Sequence, residues 1–309
     1  MKRGAVVGIV GGVVAIAAAA VGIWWFLSRP QTADAAAGEY LRALEAGDYA
    51  AIETMAASPL DDAVAAAFSG AESHITDPRI VKLDAGTDGE QTVVAEVVLA
   101  GDEHDLTFTL RSSDGRWLVT ADSLAAVRID TTLGGAPGGG DSAWIGGALV
   151  PTGADIAVLP AEYTVEAAPR GILSGSTTVP VSSDRGVQTV AIDTTLAPEA
   201  TAAAQEQLDA YLDACAAPAA TVPDHCGIRV PWAADLTSLD GIAFRIEERP
   251  ALALSADGRS FDAIGGVIVA TATGASRTGG TGAFTYRADD WALRGTVSFV
   301  GDEMVLSVR

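Results

Sequence analysis

The chain contains no asparagine and only two lysines, Lys2 and Lys82, and its 19 basic residues stand against 40 acidic ones. The residues encoded by AT-rich codons are the ones in short supply, which points to a GC-rich bacterial genome. A net charge of -21 repels phosphate backbones and anionic headgroups, and this excludes nucleic-acid binding. Charged residues make up only 19% of the chain and hydrophobic ones 49%. Such a chain has the apolar content to bury sizeable cores, and at roughly 100–200 residues per domain it calls for two or three of them.

Histidine is scarce too. His74, His104 and His225 form no His-Glu-x-x-His pair, so a zincin is excluded. A Ser-x-x-Lys centre is excluded because Arg79 stands three before Lys82 and Lys2 comes too early. Gly134-Gly135-Ala136-Pro137-Gly138-Gly139-Gly140 is followed by no Gly-Lys-Ser/Thr and reads as a flexible loop or hinge. Ser174 lacks the glycine two positions before it that a nucleophile elbow needs. Asp102-Glu103-His104-Asp105 reads as a solvated acidic turn. The pairs Asp61-Asp62, Glu247-Glu248 and Asp289-Asp290 read as charged surface, because neighbours on a strand point to opposite faces. No catalytic residue, metal or cofactor is expected.

Residues 4–27, within the longest uncharged stretch, open the chain behind Lys2 and Arg3. As a helix it would extend about 36 Å at ~1.5 Å per residue, beyond the roughly 30 Å hydrocarbon core. Trp24, Trp25 and Phe26 supply an interfacial belt, and Ser28-Arg29-Pro30 ends the run. The flanking charges place the N-terminus in the cytoplasm and everything after Arg29 outside. The alternative is a signal peptide cleaved near Ala33-Asp34-Ala35, but the apolar run exceeds the 7–15 residues of a signal core. Gly4, Gly8, Gly12, Ala15 and Ala19 form a small-residue face through which two copies would associate as a homodimer. A chain rich in Ala and Gly also produces that spacing by composition alone.

Beyond residues 1–30, the stub and membrane segment, three regions differ in texture. In residues 31–124, Ala37, Tyr40, Leu41 and Leu44 fall at i, i+3, i+4 and i+7 of a helix. Asp48 caps a second short helix with Ile52 and Met55 inside, and an Ala-rich helical stretch follows at 64–68. Strands are expected at 80–83, 92–99, 106–110 and 117–121, with turns at Asp88-Gly89, Gly101-Asp102 and Asp114-Gly115. The run Tyr40-Leu41-Arg42-Ala43-Leu44-Glu45-Ala46-Gly47-Asp48-Tyr49 resembles the opening helix pair of nuclear transport factor two-like, or cystatin-like, domains of bacterial membrane proteins. Gly115-Arg116-Trp117-Leu118-Val119 resembles their last strand. Such domains precede the catalytic domain of some penicillin-binding transpeptidases and recur in teicoplanin-resistance-associated proteins. The resemblance implies a cone-like domain of helices on a bent antiparallel sheet. It does not bring transpeptidase activity with it.

Residues 125–196 carry many Gly and Pro and six or seven short alternating runs, the pattern of a small β-sandwich. Leu159-Pro160-Ala161-Glu162-Tyr163-Thr164-Val165 resembles a strand-turn-strand of small surface sandwich domains, with Ala161 where glycine is usual. Residues 197–309 repeat the first plan: Leu208, Tyr211, Leu212 and Cys215 take the same helical face, and six strands follow. The expected fold class is therefore α+β with one N-terminal transmembrane helix, and two cone-like helix-plus-antiparallel-sheet domains flanking a small β-sandwich.

Cys215 and Cys226, with ten residues between them on the oxidising side, are expected to form a disulfide. In the first domain Tyr40, Phe108 and Trp117 are the large residues available to line a pocket, and core filling is the simpler role for each. The expected function is a non-enzymatic, membrane-anchored extracytoplasmic scaffold or partner-binding protein of the cell envelope. Its partners would be the membrane, crossed once, and an envelope protein or cell-wall component. The alternative is a small-ligand receptor using the pocket of a cone-like domain.

Overall fold

The computed structural model describes residues 32–183 and 186–309. The run at 4–27, with Gly4, Gly8, Gly12, Ala15 and Ala19, lies outside the described residues. Within them no helix is long and apolar enough to cross a membrane. Strands hold 54% of the described residues and helices 18%. The expected α+β class is thereby corrected to a predominantly β fold, and no described helix supports the expected transmembrane one. The chain forms two compact units, one made of residues up to Leu60 with Ile75–Leu124, the other of Asp61–His74 with Ala125–Arg309.

In the first unit, helix α1 (Ala33–Ala46) starts where Thr32 Oγ1 accepts from the Ala35 N–H at 3.2 Å. It stops at Gly47, whose φ of 66° is left-handed, so that the Asp48 N–H reaches back to the Ala43 carbonyl at 2.9 Å. Asp48 then caps α2 (Tyr49–Met55) through the Ala51 N–H at 3.0 Å. Ala37, Tyr40, Leu41 and Leu44 are all buried, as is Ile52. Strands β1 (Thr76–Ala85), β2 (Glu90–Leu99), β3 (Asp102–Ser113) and β4 (Arg116–Val119) form an antiparallel meander in that order. Ala100-Gly101 and Asp114-Gly115 turn two of its hairpins with positive φ at both positions, the mirror-image turn that matches strand twist. Val93, Ala95, Val97 and Leu99 of β2 and Leu106, Phe108 and Leu110 of β3 are buried at every second residue.

The second unit opens with α3 (Asp62–Ser69), capped by Asp61 Oδ1 on the Ala63 N–H at 3.0 Å. Its next strands are β5 (Ala125–Leu133), β6 (Ala136–Pro137), β7 (Ser142–Ile145), β8 (Ala148–Pro151), β9 (Asp155–Val158), β10 (Ala161–Ala167), β11 (Leu173–Ser174), β12 (Ser176–Val181) and β13 (Val187–Leu196). They build a sheet β12-β10-β7-β8 and a second, β11-β13-β5-β6, with β9 beside β5 and with β5 and β13 parallel. Tyr163 in β10 is fully buried, and its hydroxyl donates to the Leu159 carbonyl at 2.6 Å.

Helix α4 (Ala200–Cys215) follows. Then come β14 (Leu236–Glu248), β15 (Ala251–Leu254), β16 (Ser260–Ser276), β17 (Thr281–Val300) and β18 (Glu303–Val308), ordered β14-β16-β17-β18 with β15 on β16. The sequence suggested two strands where β17 is one of 20 residues. Its alternation breaks at Asp289-Asp290, but the register with β16 shifts there by one extra residue on β17, after a shift of one extra residue on β16 near Gly265 (φ 79°). Such bulges keep Ala288 on the same apolar face as Trp291 and Leu293, where strict alternation would reverse them. That face belongs to a core shared with Leu133 and Leu173 of the smaller sheets and Leu208 and Leu212 of α4.

Cys215 and Cys226 are joined, with Cα atoms 5.8 Å apart. The bridge ties the end of α4 to a segment held by Trp291 Nε1 donating to the Cys226 carbonyl at 2.8 Å and by Tyr211 donating to the His225 carbonyl at 2.9 Å. Loop-closure entropy sets the expected effect of opening it. Replacing both cysteines with serine should lower the unfolding free energy of this unit by about 2–3 kcal/mol in denaturant titrations. Unchanged stability would show that the surrounding hydrogen bonds hold the segment without the bridge.

Candidate functional site

The three aromatic residues singled out in the first unit separate in the structure. Tyr40 of α1 and Phe108 of β3 are 1% exposed and pack on each other, ring centroids 4.9 Å apart at 56°. They fill the core. Trp117, at the start of β4, is only half-buried and lines an open groove of about 400 Å³. Burial is also what moves the Tyr40 phenol, whose pKa lies far above its ordinary value near 10.

The groove is built from three short pieces of chain. Helix α1 contributes Glu39, Arg42, Ala43 and Ala46, α2 and the residue before it contribute Asp48, Ala51, Thr54 and Met55, and β4 contributes Arg116 and Trp117. The α1 residues are themselves at i, i+3, i+4 and i+7, a second stripe beside the apolar one. Arg116 Nη2 donates to the Thr54 carbonyl at 3.3 Å, placing a cation at the C-terminal end of α2, where the helix dipole favours it. Arg42 Nε donates to Gly38 within its own helix at 3.1 Å. The Ala57 N–H donates to the Val119 carbonyl at 2.8 Å and fixes the end of α2 beside β4. Thr54 Oγ1 donates to the Ala51 carbonyl at 2.8 Å, so the groove's one hydroxyl is turned into the helix and faces no base.

The other polar groups noted in the sequence have structural places. Asp61 is a helix cap and Asp62 lies in the first turn of α3, a favourable position for acidic charge. Asp289 and Asp290 form the bulge, and Asp289 accepts from Arg287 Nε at 2.6 Å. Glu247 is paired with Arg287 and Arg245, and the hydrogen bond from Arg287 holds its carboxyl below the usual carboxylate range. Both ring nitrogens of His104 are buried without a hydrogen-bond partner among the described residues, and nothing in the structure explains it. The described residues contain no group of three or more His, Cys, Asp or Glu arranged to hold a metal. In the second unit, Arg170 lies 4.1 Å over the Trp144 ring, and Asp302 accepts from both the Trp144 indole and the Arg170 N–H. These contacts lock the β17–β18 turn to the smaller sheets.

No family model, curated protein or solved structure matches the chain.

Two outcomes follow from the split among the aromatics. Phe108→Ala should cost about 3–5 kcal/mol of stability in denaturant titrations, while Trp117→Ala costs far less, since the indole is already wetted. A raised phenol pKa stabilises the fold below the unfolded pKa near 10 and the stability is lost as pH rises through the folded value. Circular dichroism should therefore show the first unit of wild type weakening above about pH 10, and Tyr40→Phe should remove that alkaline limb.

Proposed function

We propose that the protein is a non-enzymatic, membrane-anchored extracytoplasmic binding protein of the bacterial cell envelope, with its partner site in the groove beside Trp117. The observation that carries this reading is the half-exposed indole lining an open groove, in a chain where aromatic residues are few and Tyr40 and Phe108 are buried. Large aromatics left accessible in concave sites are preferred anchors for ligands and partners. Against core filling at this position stands the free volume itself. The groove holds no nucleophile next to a base, which favours binding over catalysis.

The extracytoplasmic location rests on the uncharged run at residues 4–27 behind Lys2 and Arg3, and on the disulfide, which persists in oxidising compartments. The acidic surface keeps the exported part soluble and away from anionic lipid.

A hydrophobic dye titrated into wild-type protein should bind with enhanced fluorescence, and Trp117→Ala should lose most of that signal while keeping its circular dichroism spectrum. Equal dye binding by the two proteins would place the accessible apolar site elsewhere.

A further inference from the structure

Arg42 and Arg116 come from different elements and line the same groove. Among the described residues neither is ion-paired, and each donates only to a backbone carbonyl, Gly38 and Thr54 respectively. Elsewhere in this acidic chain Arg111 sits on Glu90, Arg249 on Asp213 and Arg287 on Glu247, while Arg259 and Arg277, like these two, donate to backbone carbonyls. A guanidinium carries five N–H donors, so most of the donors on both side chains remain for a ligand. Two acidic residues, Glu39 and Asp48, line the same groove, and Asp48 is committed to capping α2 through the Ala51 N–H.

Resting on the groove reading above, we propose that this site recognises the free C-terminal carboxylate of a peptide partner, with Arg42 and Arg116 holding the carboxylate and Trp117 receiving the apolar terminal side chain. Guanidinium–carboxylate pairing is short, directional and stronger than neutral hydrogen bonding. A singly charged carboxylate suits a chain of net charge -21 better than a phosphate, whose second charge the surrounding field repels. A chain end also fits the space: about 400 Å³ takes a short terminus, and a terminal residue carries both its carboxylate and its apolar side chain, the two groups that the arginines and Trp117 would receive.

The test is calorimetric titration of the full chain in detergent micelles with three probes: N-acetyl-Ala-Ala-Phe as the free acid, the same peptide as the C-terminal amide, and N-acetylphenylalanine. The acid should bind about tenfold more tightly than the amide, and Arg42→Gln and Arg116→Gln should each remove most of that preference without changing amide binding. Arg116→Lys, which keeps the charge and loses the fork, should retain part of it. Trp117→Ala should weaken acid and amide alike. Equal binding of acid and amide, both lost in Trp117→Ala, would overturn the carboxylate assignment and leave the groove as the site. Acid binding unchanged by Trp117→Ala would overturn both. N-acetylphenylalanine binding as tightly as the tripeptide acid would replace the peptide terminus by a free small carboxylate, and no binding of any probe would overturn the proposal.

Discussion

The packing of Tyr40 on Phe108 is the contact from which the first unit takes its form. One ring comes from the middle of α1 and the other from the middle of β3, and both are sealed from solvent. Once that pair is buried, the left-handed stop at Gly47 and the Asp48 cap turn α2 back beside β4. The remaining space lies between the second stripe of α1, the end of α2 and the start of β4, and Trp117 lines it. The groove is thus a by-product of core packing and is held by rigid elements, which is what a binding site of fixed shape needs.

The second unit solves a different problem. Its smaller sheets and its long-stranded C-terminal sheet share one apolar core, so they are stabilised together. Keeping one inward side along a 20-residue strand past a polar interruption requires a change of register, and the paired bulges near Gly265 and Asp289-Asp290 supply it. The disulfide and the Trp291 hydrogen bond then fasten the irregular segment after α4, which has few backbone partners in regular structure.

Much of the local structure was legible because it follows from short-range chemistry. The apolar stripe of α1, the Asp48 cap, the glycine-containing turns and the spacing of the two cysteines each depend on residues close in sequence. The fold class was misread. An α+β class was expected, whereas strands hold 54% of the described residues against 18% in helices, and strict alternation split β17 at a bulge. The same alternation rule assigned Asp289 and Asp290 to opposite faces of a regular strand, whereas a bulge breaks the regularity on which that rule depends. Asp61 and Asp62, read as plain surface, open a helix.

The sequence by itself determined the acidic charge balance, the first helix pair and its caps, and the cysteine pair, since each rests on composition or on neighbours along the chain. Which aromatic is core and which is accessible was decided only by tertiary structure. Tyr40, Phe108 and Trp117 are equivalent as large residues in amphipathic elements, and burial depends on what faces each of them across the fold. The same holds for Arg42 and Arg116. They are 74 positions apart (116 minus 42), and only the packing of α1 and α2 against β4 brings both guanidinium groups to one groove.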